Sequence, residues 1–432
     1  MSSSEIPAPH LATAYSGPLH HIEEVILNQV SLIESWFRTQ WQITPPPITS
    51  SVDLRYAGFK LAPVDTNLFP AGFNNLNPDF IPLCIQAAQS VFMEYYPTCT
   101  NILLLPENHT RNQFYLESLC RLRDIFVKAG FVVRIGSLDE HSTKSSELTL
   151  ESGETLLIEP VIRSGDRVGL PDFDPCFLLL NNDLSTGVPD ILSGVVQTIQ
   201  PPVCLGWSSR LKSTHFHHYS EVAHEFSKLI DIDSWLITPL FKAVEGIDFM
   251  SQEGIDKLVE EVDALLVDIR AQYDLHGVKE KPFVVVKADN GTYGMGVMMV
   301  HEAAQLLSLN RKQRKKMAAS KGSQTVTKVI VQEGVHSIET MPDLAVAEPV
   351  VYMLGDHVIG GFYRVHKDRG PAENLNAIGM HFEPLAFSKS CNMPEDDLGV
   401  EETPNRFYIY GVIARLAALA AAREMAALGG AR

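Results

Sequence analysis

Cysteine is scarce in this 432-residue chain and scattered where it occurs, at 84, 99, 120, 176, 204 and 391, with no C-x-x-C. The six read as reduced, buried thiols of a cytoplasmic protein, and nothing local marks one as catalytic. Basic residues are in deficit, giving a formal net charge of −17. A nucleic-acid-binding role is disfavoured, because a phosphate backbone would be repelled. The one basic run, "RKQRKK" at 311–316, reads as the solvated end of a helix beginning near His301. No uninterrupted apolar run approaches membrane-spanning length. The N-terminal "MSSSEIPAPHLATAYSG" lacks a charged segment followed by an apolar one, so no secretory signal is expected. Neither standard glycine motif for nucleotides is present. The stretch "KADNGTYGMG" at 287–296 places its lysine before its glycines, unlike a P-loop, and reads G-x-x-G-x-G where a dinucleotide fingerprint needs G-x-G-x-x-G.

The length exceeds that of one core, so two or three domains are expected. An amphipathic helix is predicted around Ile22 to Trp41, broken by "TPPPITS". The segment 101–138, "NILLLPENHTRNQFYLESLCRLRDIFVKAGFVVRIGSL", reads as strand, loop, helix, strand, a βαβ-like unit. The run "CFLLLNNDLS" is a further strand, and "QPPVCLGW" begins another. Ligands in open α/β sheets sit where strands end in loops, and those places carry Glu107, His109, Arg111, Asn181 and Asp183. Helical spacing predicts a helix over 255–278 with Gly277 near its end. "TKVIVQEGV" is a strongly β-branched strand, "AEPVVYMLGD" and "HVIGGFYRVHK" are two strands joined by a tight turn at Gly355-Asp356, and an alanine-rich helix follows from about Arg406.

Val284, Val285 and Val286 are strand formers, so Lys287 stands where an extended segment leaves the core. Glycines allow backbone to approach a ligand closely, and N–H groups lining an anion beside a lysine can hold phosphates. A strand resuming at Val297 to Val300 would make the same glycines a hairpin turn. The two readings are compatible, since a hairpin can fold over a nucleotide.

The order of Lys287, a glycine loop, a strand ending Gln332-Glu333-Gly334-Val335, a strand pair ending in Arg364 and "ENLNAIG" resembles the ATP-grasp ligases. More closely, "SVDLRYAGFKLAPVDTNLFPAGFNNL", "KADNGTYGMGV", "VIVQEGV" and "ENLNAIGMHFEPL" resemble the glutamate–cysteine ligase family first recognised in acidophilic, iron-oxidising proteobacteria. The resemblance implies an α/β fold with α+β lobes: an N-terminal α/β substrate domain over 1–240, an ATP-grasp lobe with the glycine loop over 241–326, and a second lobe over 327–432. It implies ATP-dependent formation of γ-glutamylcysteine through γ-glutamyl phosphate, the first step of glutathione biosynthesis, with ATP and Mg²⁺ as cofactors. Glutamate, cysteine and ATP would be its partners, without nucleic acid or membrane; a homo-oligomer stays open. Another amino-acid pair, or a nucleotide-binding regulatory protein without turnover, are the alternatives.

Under that resemblance, Lys287 and Arg364 are the catalytic cations, the second clamping the γ-phosphate or acyl phosphate. Gly291, Gly294 and Gly296 cover the phosphates, and Gln332, Glu333 and Val335 form the adenine hinge. Many ATP-grasp enzymes carry an E-x-N metal-ligand pair on a strand after the final helix; no such strand is expected here, so Glu348, Glu373, Asn374 and Asn376 stand in as metal-ligand candidates. An α-amino acid needs a cation for its carboxylate and an acid or amide for its ammonium. Arg55, Lys60, Asp65, Asn67, Asn74 and Asn75 supply both within 52–77, and Arg210 and Lys212 add anion-binding capacity. His215, His217 and His218 match no zinc spacing and read as a partly buried structural cluster.

Overall fold

The computed structural model describes residues 19–108, 112–291, 296–318, 325–385 and 407–429. Its first segment is two helices, α1 (His21–Leu27) and α2 (Val30–Ile43), where periodicity alone predicts one. The break falls at Asn28-Gln29: Asn28 N–H donates to Glu24 O, Gln29 N–H to Ile26 O, and the Gln29 side chain donates to Ile230 O at 3.0 Å. Next come β1 (Thr49–Tyr56) and β2 (Leu61–Asn67), an antiparallel pair turned through Gly58 at φ +80°.

The segment from α3 (Ile81–Tyr95) onward builds an α/β layer. Strand β3 (Asn101–Pro106), helix α4 (Gln113–Lys128) and strand β4 (Val132–Ser137) are the expected βαβ unit, and β3 and β4 pair in parallel. Then follow β5 (Ser146–Thr149), β6 (Thr155–Pro160), the small hairpin β7 (Ile162–Ser164) and β8 (Arg167–Gly169), then β9 (Phe177–Asn181) and β10 (Thr198–Gln200). The sheet order is β10-β9-β3-β4-β6-β5, parallel except for β5. The strand expected to begin at Gln200 ends there instead, because Pro201 and Pro202 have no N–H for a ladder.

After helix α5 (Lys212–Ile230) comes an antiparallel sheet with order β11-β14-β12-β13, from β11 (Phe241–Glu245), β12 (Val284–Ala288), β13 (Met298–Val300) and β14 (Lys328–Glu333). It is covered by α6 (Gln252–His276), whose end is capped by left-handed Gly277 at φ +67°. The basic run forms its own short helix, α7 (Arg311–Met317), started by the Asn310 side chain accepting from Gln313 N at 3.0 Å. This corrects the longer helix expected from His301. The last strands, β15 (Val346–Leu354), β16 (His357–His366) and β17 (His381–Pro384), join β1 and β2 in an antiparallel sheet of order β17-β16-β15-β1-β2. Residues on both sides of 240 and 326 therefore share one sheet.

Helix α8 (Phe407–Ala427) is largely apolar and is buried accordingly, packed on α5, β1, β2 and β15, with its buried charges Arg415 and Glu424 ion-paired to Glu34 and Arg210. No helix among the described residues is long and apolar enough to cross a membrane. The Sγ atoms of Cys99 and Cys176 lie 2.8 Å apart at the starts of neighbouring strands, a proximity that their spacing in sequence does not reveal.

Candidate active site

Val284 and Val286 of β12 sink into the core, while Val285 and Lys287, on the other face of the strand, line a cleft between the four-stranded and five-stranded sheets. This cleft is open to solvent. Its far wall is built by alternation. Asp53 and Arg55 share one face of β1 while Val52 and Leu54 face the core. Glu348 and Arg364 are direct cross-strand partners in β15 and β16. The four close into one network: Glu348 accepts from Arg55 Nε at 2.8 Å and from Arg364, and Arg364 donates to Asp53 at 3.0 Å.

Burial works against the charge on each of these groups, and the neighbours decide the outcome. Burial raises the Asp53 pKa, with Asp65 and Glu348 adding to it and Arg364 opposing. Burial would raise Glu348 too, but Arg55 and Arg364 together bring it below the usual carboxylate range. Arg364 itself keeps an unpartnered, buried Nε.

Lys287 donates from Nζ to the Val64 carbonyl at 2.6 Å, and burial pulls its pKa down to about 8 despite nearby Asp65. Asp65 is the mirror case. Burial would raise it, but Lys212 and Lys287 hold it at about 2. Asp289, just beyond Lys287, ties this wall to α5: its carboxylate accepts from Ser213 N at 2.7 Å and Ser213 Oγ at 2.6 Å, and its carbonyl accepts from Lys212 N at 2.8 Å. The positions of Lys212 and Lys287 are thereby linked.

The third wall is the end of β14. Glu333 Oε2 accepts from Lys60 Nζ at 2.7 Å, Trp235 Nε1 at 3.2 Å and Leu240 N at 2.9 Å. Gly334 follows where only glycine fits, since an added Cβ would lie 2.1 Å from the buried Phe283 ring. Gln332 Nε2 and Glu333 Oε1 are buried without partners. Gln332, opposite the cleft-lining Val285, shares the cleft with Arg364, whose Nε also has no partner.

A profile of the family described as GshA, glutamate-cysteine ligase, matches residues 23–425. The chain belongs to the glutamate–cysteine ligase family. The solved structure of a Methylobacillus flagellatus KT protein carrying the provisional name gamma-glutamylcysteine synthetase is 53% identical, with a TM-score of 0.88 over 98% of this chain and 99% of that one. Far weaker likenesses, which bear no argument, are to a glutathione synthetase-like effector of Globodera pallida (10% identity, TM-score 0.36, 84% of this chain and 81% of that one) and to D-alanyl-alanine synthetase A of Vibrio cholerae O1 (12% identity, TM-score 0.32, 74% and 80%). No curated protein matches the chain. As a glutamate–cysteine ligase family member the protein is an ATP-using enzyme, and the mixed α/β architecture expected from sequence is the one observed.

Of the ligase residues expected from sequence, Lys287, Arg364, Gln332, Glu333, Val335, Glu348, Asn374, Asn376, Arg55 and Asp65 all line the cleft. Asn67, Lys212 and Gly291 line a second cavity that adjoins it across Asp65. Others lie apart. Lys60 is buried against Glu333, with its ammonium 4.1 Å from the Trp235 ring centroid. Arg210 is buried in an ion pair with Glu424 at 2.9 Å and also donates to Thr66 O at 3.0 Å. Asn74 and Asn75 sit in the 3₁₀ turn Phe73–Asn75, away from both cavities. The Glu373 carboxylate faces Arg369 and Gly370 N at the surface. Gly296 leads into β13 at φ +64°, while Gly294, His109 and Arg111 fall outside the described residues.

Arg55 lines the cleft with four donated hydrogen bonds in place: to Glu348, to the carbonyls of Val335 and Pro371, and to that of Glu373. The three histidines do not converge, since His215 turns to Arg210 and Glu424 while His217 is exposed against Phe241. Asp53 and Asp289 were not singled out in the sequence. The alternation in "SVDLRY" carried the signal for Asp53, two positions from Arg55 on the same strand face.

Proposed function

We propose that the cleft binds ATP as in the ATP-grasp ligases and joins the γ-carboxylate of L-glutamate to the amine of L-cysteine. The observation that carries this reading is the convergence of two cations, Lys287 and Arg364, on one cleft that Asp53, Glu348 and Gln332 also line. A free carboxylate is a poor electrophile, because its leaving group would be oxide. Transfer of the γ-phosphoryl group gives γ-glutamyl phosphate and ADP, and attack by the cysteine amine then forms the amide and releases phosphate. Lys287 and Arg364 neutralise charge on the transferring group, and the fixed walls position the reactants, so no protein nucleophile is needed.

The oxygen donors of Asp53, Glu348, Asn374 and Asn376 line the same cleft and form a hard donor set suited to Mg²⁺. Asp53 fits best: its burial beside Asp65 and Glu348 leaves its carboxylate short of positive charge. Bound there, Mg²⁺ would offset phosphate charge. The segment Gln332 to Val335, locked by Glu333 and Gly334, is the adenine-facing wall. A cytoplasmic setting follows from the same reading, since ATP and free thiol coexist there.

The test is ADP release measured with each amino acid alone and with the pair. It is expected only with glutamate and cysteine together, and with ¹⁸O in the γ-carboxylate one labelled oxygen is expected in the phosphate released. AMP with unlabelled phosphate would overturn the reading.

A further inference from the structure

The amino-terminal edge of the parallel sheet brings two cysteines together. Cys99 sits in the turn that leads from α3 into β3, with its N–H donating to Tyr96 O at 3.0 Å, and Cys176 enters β9 with its N–H donating to Asn101 O at 3.1 Å. Both backbones are therefore fixed before either side chain reacts. The Sγ atoms lie 2.8 Å apart and both residues are partly exposed, so a small solute can reach a preformed pair of sulfur atoms. Neither residue lines the cleft or the second cavity, and the inference stands apart from the ligase reading.

The two sulfur atoms are not equivalent. Cys176 Sγ accepts from Thr100 N and Asn101 N, each at 3.3 Å, and the Cys99 thiol can turn its proton toward it as well. As a thiol, Cys176 donates to the Asn101 carbonyl at 3.2 Å; as a thiolate it keeps those three donors. Cys99 Sγ has an acceptor as its other neighbour, the same Asn101 carbonyl at 3.8 Å. Burial works against a thiolate at both positions. At Cys176 the Cys99 thiol and the N–H groups of Asn101 and Thr100 outweigh burial and lower the pKa, whereas at Cys99 burial and the Cys176 sulfur act together and raise it. A partly exposed sulfur that favours the thiolate, beside a second thiol, is the arrangement in which a cysteine is oxidised by peroxide and then resolved.

We propose that Cys176 and Cys99 form a peroxide-reactive pair, with Cys176 as the attacking sulfur and Cys99 as the resolving one. The Cys176 thiolate attacks one oxygen of hydrogen peroxide: an S–O bond forms, the O–O bond breaks, and hydroxide leaves and takes up the proton that Cys176 released. Cys176 is then a sulfenic acid, oxidised by two electrons, and the peroxide has been reduced to water. The Cys99 sulfur next attacks the Cys176 sulfur. An S–S bond forms, the S–O bond breaks, and the departing hydroxide leaves with the Cys99 proton as a second water. Two thiols and one hydrogen peroxide thus give one disulfide and two waters, and a reducing thiol reverses the change by exchange.

The test treats the full-length protein with hydrogen peroxide, blocks the remaining thiols with N-ethylmaleimide and maps the peptides without reduction. A peptide linked through Cys99 and Cys176 is expected, and dithiothreitol should restore both thiols. Cys204 is also partly exposed, but burial pushes its thiol up, so it should be oxidised about tenfold more slowly. Cys99→Ser should halt Cys176 at the sulfenic acid, trapped as its dimedone adduct, whereas Cys176→Ser should leave Cys99 unlabelled at the same dose. No linked peptide in wild type, a link between two molecules in its place, or oxidation of Cys204 at the same rate would each overturn the pair. Dimedone on Cys99 of Cys176→Ser, with none on Cys176 of Cys99→Ser, would overturn the assigned roles.

Discussion

Two groups of buried cations differ in how far the protein itself satisfies them. Around Arg210, the guanidinium meets both oxygens of Glu424, the Thr66 carbonyl and the His215 ring, and strong attraction from Arg210 and His215 holds Glu424 at about 2 against burial. Around the cleft, Lys287 has a backbone carbonyl and a depressed pKa, while Arg364 keeps an unpartnered Nε. The first arrangement fastens α8 to β2 and the start of α5. The second leaves binding capacity facing a cavity. A cation's residue type is the same in both places, so the degree of internal satisfaction separates staple from site.

The largest effect is expected where the staple is broken. Arg210→Ala strands Glu424 in the core as an uncompensated charge and should cost about 3–5 kcal/mol of stability, read as a lower denaturant midpoint. Lys287→Ala sharpens the contrast from the other side. It should lower turnover by about a hundredfold or more while the denaturant midpoint holds or rises, because the ammonium is desolvated in the free protein. A Lys287→Ala protein with near-normal turnover would remove this residue from the phosphate site.

Arg55→Lys tests a residue of mixed character. It lines the cleft, yet its guanidinium holds Glu348 and the carbonyls of Val335, Pro371 and Glu373, which an ammonium cannot bridge together. A loss of about 1–3 kcal/mol of stability with the KM for both ATP and glutamate raised would mark a positioning residue. A raised glutamate KM alone, at unchanged stability, would instead mark a direct substrate contact.

The smallest effect is one of pH. Lys287 loses its proton near pH 8 in the free protein, so ATP should bind progressively more weakly as pH rises through that value. Stability carries the opposite sign. The unfolded lysine binds its proton up to about pH 10.4 and the folded one only to about 8, so this group's contribution to stability grows between those values. A Lys287→Arg protein, charged throughout, should lose both dependences. ATP KM measured across pH 7 to about 10 in the two proteins checks this.

Local physical chemistry made much of the fold legible. The β-branched runs gave β12 and β14, the βαβ pattern gave β3, α4 and β4, and Gly277 marked the end of α6, because each signal is contained within a few residues. The glycine hairpin was read correctly to the extent that β12 and β13 pair as Val284–Val300 and Val286–Met298. Where two proline residues follow Gln200, or Gln29 reaches across to Ile230, the local pattern misled, since the deciding partner or the missing N–H lies outside the periodicity.

By itself, the sequence determined which segments become strands and helices, that Lys287 stands near a strand's end, and which polar side chains were available to a site. Only the tertiary structure decided which of those side chains face a cavity. Strand β1 meets β15 across about 300 residues of chain, which brings Asp53 to Arg364, and Arg210 meets Glu424 across 214 residues, which takes Arg210 out of any binding site. Hydrogen bonds and ion pairs act over a few ångströms, and such partners are fixed by sheet register and helix packing. Spacing along the chain does not contain that information.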